Sequence, residues 1–293
     1  MIEETGKIIK SLSGFYYILL ENGDIITSRA RGNFRNNNIT PLVGDIVNVK
    51  IEDDSIGYIT TIKERDNELL RPKVANIDYN VIVTSVKDPD FSSKLLDKMV
   101  VLAEYSSVPS IIIFTKLDLL SDEYLKKFNS IMDYYKEIGY VVLTNSSEDI
   151  AKFKTIVSNK FISISGQSGS GKSTFINNLS NGVLNIETAK ISKALGRGKH
   201  TTRHTEFHKI DDFYIADTPG FSSLDITFIY KEDIKYLFKE FSATNCKYQT
   251  CNHIDEPSCQ IKIELENDCN KYFDRYENYK NMFNEKKEQK RRY

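Results

Sequence analysis

Short apolar runs separated by turns fill the first 70 residues of the chain. These runs, which are rich in branched and aromatic residues typical of strands, are residues 8–9, 15–20, 25–27, 45–49 and 57–60. Asn22-Gly23 separates two of the runs and favours a hairpin. Several short strands joined by turns predict a small β-barrel, so we expect an OB-fold over residues 1–70.

Beyond Arg71-Pro72 the pattern changes to strands that alternate with amphipathic helices. The apolar runs that predict strands are residues 80–84, 111–114, 140–143 and 161–165. The helical periodicity of apolar positions predicts helices over residues 92–106, 122–137 and 148–157. This alternation indicates a parallel, doubly wound α/β sheet, which binds ligands at the carboxyl ends of its strands. We expect this domain to cover residues 71–224.

The last part of the chain, residues 225–293, is predicted to be a mostly α-helical domain. It contains all four cysteines of the sequence, Cys246, Cys251, Cys259 and Cys269. An aromatic-rich helix is expected over residues 270–293, and it ends in a basic tail. Because the segment around the cysteines has few large apolar residues, we expect a metal to substitute for a hydrophobic core there.

Cys246, Cys251, His253 and Cys259 lie within one short segment and supply three thiolates and one imidazole. This set suits a tetrahedral, structural zinc ion with all four positions filled. The alternative is four unrelated core or surface residues. Cys269 is an alternative ligand, but it lies farther along the chain.

Composition restricts the possible partners of the 293-residue chain. Its formal net charge is −1, so a polyanion would have to bind a local basic patch. Arg29, Arg31 and Arg35 surround Phe34 in one loop, which is either a solvated loop or an RNA-contacting loop. No apolar run is long enough for a membrane span, and the N-terminus does not resemble a secretory signal. We therefore expect a cytoplasmic monomer with no membrane partner.

A glycine-rich loop follows the predicted strand at 161–165. The run from Gly166 to Ser173 fits the phosphate-binding loop pattern of P-loop proteins, in which backbone amides surround phosphate groups. Lys172 is expected to reach the β- and γ-phosphates, and the Ser173 hydroxyl to bind Mg²⁺. The expected nucleotide contacts are Gly166, Gln167, Ser168, Gly169, Ser170, Gly171, Lys172, Ser173 and Thr174. A chance glycine-rich turn is the alternative.

A second motif, Thr115-Lys116-Leu117-Asp118, follows the predicted strand at 111–114 and looks like the base-reading motif of GTPases. The Asp118 carboxylate would accept hydrogen bonds from guanine, and adenine would leave it unpaired. The stem of Lys116 would cover the base. Thr115 occupies a position where Asn is usual, so we expect guanine preference with lower affinity.

The loop after the next predicted strand contains Asn145 and Ser146. It suits the segment that lies behind the base in GTPases, and the alternative is an ordinary helix cap.

The order of the two motifs is the reverse of that in ordinary GTPases, where the phosphate loop comes first. This order predicts a circularly permuted GTPase domain. After the phosphate loop comes Asp217-Thr218-Pro219-Gly220, in which Asp217 would hold Mg²⁺ through water and the Gly220 amide would sense the γ-phosphate. Phe221 follows where many GTPases carry a water-orienting Gln, which predicts slow intrinsic hydrolysis.

Between these motifs lies a basic, glycine-containing segment at 194–205 that suits a GTPase switch. Thr202 is the expected Mg²⁺ ligand, with Thr201 as the alternative. His200 would position or activate water, or else it is a solvated or RNA-contacting residue. The spacing of His200, His204 and His208 also allows a helical metal face, but the neighbouring glycines argue against it.

Taken together, these residues resemble the RsgA family, also called YjeQ, over nearly the whole chain. Besides the two nucleotide motifs, the resemblance includes the segment 196–202, the segment 74–78 and the spacing of Cys246, Cys251, His253 and Cys259. It implies a GTPase that hydrolyses GTP to GDP and phosphate in late maturation of the small ribosomal subunit. It also implies that the OB-fold and zinc domains contact ribosomal RNA and that the ribosome stimulates hydrolysis.

Two other functions remain open from the residues alone. One is an RNA-binding module that retains a nucleotide pocket without catalysis, although Lys172, Ser173 and Asp217 are all present. The other is an ATP-dependent P-loop enzyme, against which Lys116 and Asp118 argue.

Overall fold

The structure is a computed structural model. It describes residues 2–30, 34, 40–51, 56–70, 73–180, 205–217, 224–242 and 245–285, and the statements below concern these residues. No helix among them is both long enough and apolar enough to cross a lipid bilayer.

Within the described residues, five strands close into a barrel in the order β1-β2-β3-β5-β4. The strands are β1 (Ile2–Leu12), β2 (Phe15–Leu20), β3 (Ile25–Ala30), β4 (Ile46–Ile51) and β5 (Ile56–Ile62). Neighbours pair antiparallel except β3 and β5, which pair parallel. Alternate side chains fill the interior, among them the fully buried Ile8, Ile18 and Val47. The OB-like barrel predicted for the N-terminus is confirmed.

A short hairpin, β6 (Glu68–Leu70) and β7 (Lys73–Ala75), connects the barrel to the central sheet. The sheet has six described strands in the order β10-β9-β8-β11-β13-β12. They are β8 (Tyr79–Ser85), β9 (Ser110–Thr115), β10 (Val141–Thr144), β11 (Phe161–Gly166), β12 (Phe207–Ile210) and β13 (Phe213–Asp217). All neighbours run parallel except the edge strand β12, which pairs antiparallel with β13.

Helices cover both faces of this sheet. They are α1 (Ser93–Tyr105), α2 (Asp122–Glu137), α3 (Ser147–Val157) and α4 (Lys172–Leu179). On one face, Phe153 of α3 and Phe175 of α4 pack on β8, β9 and β11. On the other face, Met99 of α1 and Met132 of α2 pack on β8, β9 and β10. Strands that are buried on both faces appear in the sequence as continuous apolar runs. This is why the strands of the central sheet could be predicted from the sequence.

The C-terminal region contains short helices and one longer helix. A 3₁₀ helix (Lys231–Leu237) precedes α5 (Lys239–Ser242), α6 (Gln260–Asn267) and α7 (Arg275–Glu285). Aromatic side chains from these elements, including Phe238, Phe241 and Tyr279, form one buried cluster with Cys251 and Cys259. A substantial aromatic core thus surrounds the cysteines, although few large apolar residues lie near them in sequence. Most of its members come from residues 226–241 and 272–283, and Val101, Tyr134 and Ile261 also belong to it.

Helix α7 begins five residues later than the sequence pattern predicted. Phe273 has a backbone φ of 45°, which is incompatible with a continuous right-handed helix through this position. Tyr272 and Phe273 therefore lie in turns before the helix, and both still contact the aromatic side chains of neighbouring elements.

The barrel packs against the side of the sheet formed by β12 and β13 and against the start of β11. Its core is continuous with Ile77, Phe207 and Ala216 of the central domain. Gly44 lies so close to the connecting hairpin that a Cβ there would be 1.9 Å from the Ala75 carbonyl oxygen. The barrel and the central domain thus meet in close backbone contact.

The C-terminal region packs against α1 and α2 through a buried polar network. Arg275 of α7, which is 1% exposed, donates to Asp97 of α1 and to Glu240 of α5. Asp97 also accepts from Tyr135 of α2 and Asn278 of α7, both at 2.7 Å. Burial raises the pKa of Asp97, and the guanidinium of Arg275 opposes that rise.

Candidate nucleotide site and metal centre

The two predicted nucleotide motifs lie side by side at one edge of the sheet. Strand β11 leads into the glycine-rich loop, β9 ends at Thr115, and β8 lies between them. Because all three strands are parallel, their carboxyl ends reach the same edge, where doubly wound sheets bind ligands. The permuted chain order therefore gives the same neighbourhood that a GTPase needs.

Three glycines of the predicted phosphate loop occupy positions that other residues would disturb. Gly169 and Gly171 have φ values of 81° and 84°, in the left-handed region. A Cβ at Gly166 would lie 2.4 Å from the Val83 carbonyl oxygen of β8. The loop then enters α4 at Lys172, and Ser173 in its first turn is exposed. A helix start of this kind concentrates unpaired amides and suits phosphate groups.

Thr115 joins the base-reading motif to the phosphate loop. Its side chain is buried, and its hydroxyl donates to the Ser170 carbonyl oxygen at 2.6 Å. The hydroxyl also lies 3.3 Å from the Thr84 carbonyl oxygen of β8. A Cβ at Gly171 would contact Thr115 at 3.3 Å, so the two loops are closely packed. The hydroxyl thus joins the two motifs directly through a hydrogen bond between residues that are 55 positions apart in sequence.

The rest of the base-reading motif turns outward. Lys116 has a left-handed φ of 63°, and its ammonium donates to the Asp88 carbonyl oxygen. Leu117 and Asp118 belong to a 3₁₀ helix (Leu117–Leu119), and Asp118 is exposed. An exposed carboxylate at this edge is available to an incoming base.

The loop after β10 connects to the same region in two ways. Asn145 accepts from Asn178 of α4 at 3.1 Å. Ser146 is the N-cap of α3, and its hydroxyl accepts from the Asp149 amide at 3.2 Å. This contact is the one expected of an ordinary helix cap. Burial acts to raise the pKa of Asp149, but hydrogen bonds from Thr144 outweigh it and lower that pKa. The cap therefore holds this loop beside the phosphate-loop helix.

Several predicted site residues fall outside the described residues. These are Thr201, Thr202 and His200 of the expected switch, and Gly220 of the expected γ-phosphate sensor. Asp217 ends β13, with a backbone position paired to Ile164 of β11, and its side chain is outside the description.

The predicted metal ligands converge. Nδ1 of His253 lies 3.4, 3.6 and 3.5 Å from the sulfur atoms of Cys246, Cys251 and Cys259, and all four donor atoms lie within 4.8 Å of one another. A tetrahedral zinc ion with ordinary bond lengths would separate sulfur from nitrogen by about 3.5 Å. The donor set and its spacing therefore fit one zinc ion. Cys269 is exposed and is not part of this group.

The protonation chemistry of the ligands agrees with metal binding. Burial lowers the pKa of His253, with a contribution from Lys235, and this favours the neutral imidazole that binds metals. Burial raises the pKa of the Cys251 thiol to about 12 and also raises that of Cys259. Buried thiolates without a nearby cation are costly, so a bound cation would be needed to hold this group ionised.

Residues outside the ligand set hold the ligand loop in place. The Glu256 carboxylate accepts from the amides of Asn252 and Ile254 at 2.7 and 3.0 Å. The Tyr276 hydroxyl donates to the His253 carbonyl oxygen at 2.7 Å, and Lys235 donates to that of Cys251 at 2.8 Å. Such outer contacts orient metal ligands and tune their affinity.

Sequence reasoning missed two parts of this arrangement. The loop at 86–91 was not predicted to touch the nucleotide motifs, yet it meets both of them through Asp88 and Pro89. The buried Arg275 was also missed. It shares one helical face with Asn278, Tyr279 and Met282 at helical spacing, which was the available signal.

Comparison with known proteins supports the assignment of the whole chain. Residues 62–227 match the family model of the RsgA GTPase, and residues 5–59 match that of the RsgA N-terminal domain. The chain is 44% identical over 292 residues to small ribosomal subunit biogenesis GTPase RsgA 2 of Listeria monocytogenes, covering 98% of this chain and 99% of that protein. It is 46% identical over 297 residues to small ribosomal subunit biogenesis GTPase RsgA of Bacillus pumilus, covering 98% and 99%.

Solved structures give the same result. YjeQ from Thermotoga maritima superposes with a TM-score of 0.85 and 31% identity, covering 99% of this chain and 100% of that one. YloQ, a circularly permuted GTPase, superposes with a TM-score of 0.82 and 38% identity, covering 100% and 98%. Sequence and structure agree, and the chain therefore belongs to the RsgA family, the GTPases of small ribosomal subunit biogenesis.

Proposed function

We propose that this GTPase binds GTP between the base-reading motif and the phosphate loop and that the small ribosomal subunit stimulates its hydrolysis. The observation that carries the site assignment is the hydrogen bond from the Thr115 hydroxyl to the Ser170 carbonyl oxygen, at 2.6 Å. This bond supports the proposal because it joins the segment that would read the base to the loop that would bind the phosphates. We propose that the products are GDP and phosphate.

The proposed roles of the chain's residues follow from their chemistry and position. Asp118 accepts from the N1–H and 2-amino groups of guanine, and Lys116 covers the base. The amides of the loop from Gly166 to Gly171, together with Lys172, surround the β- and γ-phosphates. Ser173, Thr202 and Asp217 would hold Mg²⁺, which neutralises charge on the phosphates when bound.

Water attack on the γ-phosphate is assigned to groups in the expected switch and in the segment that follows β13. His200 is proposed to orient the water, and the Gly220 amide to sense the γ-phosphate. Because Phe221 cannot orient water through a hydrogen bond, we propose slow hydrolysis by the free protein and faster hydrolysis on the small subunit.

The domain bounds and the binding partners are also part of the proposal. The divisions are an OB-fold RNA-binding domain at 1–70, a permuted GTPase domain at 71–224 and a zinc-binding domain at 225–293. Ribosomal RNA would be bound by the first and last of these, by a monomer acting in the cytoplasm. A basic side chain over an aromatic ring, Arg29 at 4.4 Å from the Phe15 centroid, supports RNA binding by the barrel.

Base recognition can be tested by changing the hydrogen-bonding groups of Asp118. In the Asp118→Asn variant the amide would donate where the carboxylate accepts, so it should reject guanine and accept xanthine, which carries an oxygen at the 2-position. We expect GTP affinity to fall by at least about 100-fold, as when buried polar groups lose their partners, and hydrolysis of xanthosine triphosphate to appear. Titration calorimetry and a phosphate-release assay measure these changes.

Asp122→Asn, at an exposed position in the first turn of α2, is the matched control. Unchanged GTP preference in Asp118→Asn would show that the base is read elsewhere.

Stimulation by the ribosome is tested separately. Phosphate release is measured with and without purified small subunits, for the wild type and for His200→Ala. Equal rates with and without subunits in the wild type would contradict the proposed stimulation, and no phosphate release in either condition would favour a nucleotide-retaining RNA-binding module.

A further inference from the structure

We propose that Arg275 and Asn278 of the zinc-bearing region are positioning residues for nucleotide binding, and that they act through α1 and the loop at 86–91. This inference rests on the nucleotide site proposed above. It assigns to the C-terminal region an influence on affinity for guanine nucleotides that is transmitted through α1. The argument follows contacts from α7 to the two nucleotide motifs.

The first step is the buried junction between α7 and α1. Arg275 and Asp97 are almost completely buried and form an ion pair. The other nitrogen atoms of the guanidinium, Nε and Nη2, donate to the Glu240 carboxylate. Asn278 donates to the second carboxylate oxygen of Asp97 at 2.7 Å, and Tyr135 donates to the first. A buried charge cluster in which each carboxylate is paired has a narrow set of allowed geometries, so it fixes α1 relative to α7.

The second step is at the start of α1. The Ser93 hydroxyl donates to Asp274 at 3.0 Å and accepts from Asn278 at 3.2 Å. Asn278 thus holds α1 at two points one helical turn apart, Ser93 and Asp97. The first turn of α1, which immediately follows the loop at 86–91, is therefore fixed by the C-terminal region.

The third step is from that loop to the nucleotide motifs. The Asp88 carbonyl oxygen accepts from the Lys116 ammonium of the base-reading motif. Pro89 packs against the phosphate loop, where a Cβ at Gly169 would be 3.4 Å from its Cδ. The Ser85 hydroxyl donates to the Pro89 carbonyl oxygen at 2.7 Å and holds the loop over the end of β8. A shift of α1 would therefore move groups that touch both motifs.

The test measures GDP affinity by titration calorimetry for the full-length zinc-loaded protein and its variants. Asn278→Ala removes the two contacts to α1 without leaving an unpaired charge. Arg275→Lys keeps the charge but loses the planar guanidinium that binds Asp97 and Glu240 together. We expect both to weaken GDP binding by about fivefold or more, the lower end of usual coupling between sites. Hydrogen exchange should also become faster at 86–91 and at 116–119 in both variants.

The matched control is Glu285→Ala, which removes surface ion pairs between the same two helices, from Lys94 and Lys98 to Glu285. These exposed pairs do not touch the buried network, so GDP affinity should stay at the wild-type value. Reciprocity requires that GDP in turn slow hydrogen exchange at 275–279 in the wild type. Circular dichroism at the working temperature verifies that all variants are folded.

The outcomes separate this inference from the function on which it rests. GDP affinity unchanged in Asn278→Ala and Arg275→Lys, with faster exchange confined to α1 and α7, would mean that the network is structural only. If Asp118→Ala also left GDP affinity unchanged, the nucleotide site itself would be misassigned. A loss in Asp118→Ala alone would retain the site and reject the role of Arg275 and Asn278.

Discussion

At the scale of single residues, Thr115 is the position where this chain departs from the usual base-reading motif. The sequence left open what a hydroxyl would do there, and the structure shows it donating to the phosphate loop at 2.6 Å. The absence of a side chain at Gly171 leaves room for this close approach, since a Cβ there would lie 3.3 Å from the Thr115 hydroxyl oxygen. The residue therefore contributes to the shape of the pocket as well as to the motif.

Replacing Thr115 by valine tests this contribution. Thr115→Val keeps the shape of the side chain and leaves the Ser170 carbonyl oxygen without its donor. Loss of a buried partner costs about 1–3 kcal/mol, so we expect the free energy of unfolding to fall by that amount and GDP affinity to decrease. Urea denaturation and calorimetry measure the two effects.

Thr155→Val is a matched control, because the Thr155 hydroxyl bonds to a carbonyl oxygen within the exposed face of α3. Equal stability and affinity in the two variants would mean that the Thr115 hydroxyl has no special role.

At the scale of elements, sequence patterns predicted the central domain closely and the C-terminal region less well. Helix α2 was predicted with its observed bounds, since its apolar face and its polar face are both long and regular. The start of α7 was missed because it depends on a left-handed residue, Phe273, that no composition rule indicates. The aromatic core around the metal ligands was missed because it assembles from segments far apart in sequence.

This core leads to a specific expectation for metal removal. Phe238, Phe241 and Tyr279 pack on one another as well as on the metal ligands, so removal of zinc by a chelator should loosen the ligand loop and leave α7 folded. Hydrogen exchange should become faster at 245–259 and remain slow at 279–283. Metal analysis should give one zinc per chain in the wild type.

Two cysteine variants serve as the comparison for this experiment. Cys259→Ser should release zinc, whereas Cys269→Ser should retain it, since Cys269 is exposed and outside the ligand group. Loss of protection throughout the C-terminal region after chelation would show instead that the metal supports the core, as the sequence had suggested.

At the scale of the whole molecule, the three parts are joined by different kinds of contact. The C-terminal region meets α1 and α2 through buried charges, whereas the barrel meets the central domain through backbone approach and shared apolar side chains. The Lys7 ammonium lies at this second junction, 2.6 Å from the Asn76 carbonyl oxygen and 3.8 Å from the Phe161 ring centroid. Burial lowers the pKa of Lys7 to about 8.

The barrel junction can be opened by one methyl group. In Gly44→Ala the new Cβ would lie 1.9 Å from the Ala75 carbonyl oxygen, so the backbone would have to move. We expect a loss of at least about 2 kcal/mol in the free energy of unfolding and faster proteolysis near residue 70. Limited proteolysis and small-angle X-ray scattering, which detects separation of the barrel, provide the measurements.

Gly14→Ala controls for backbone strain, because Gly14 also has a positive φ, 83°, but has open space around it. If the two alanine variants lost the same stability and neither changed the overall dimensions, the close approach at Gly44 would not be what fixes the barrel.

The position of β12 has a consequence for association between copies of the chain. Among the described strands this one is the last on its side of the sheet, and an isolated bridge between Lys10 and Glu206 joins it to strand β1 of the barrel. Unpaired edge strands are templates for pairing with other chains. A fragment that began at residue 63 would expose this edge together with Phe207, which is 3% exposed in the whole protein. We therefore expect the barrel to reduce aggregation of the chain by covering this edge, whatever it binds on its outer face.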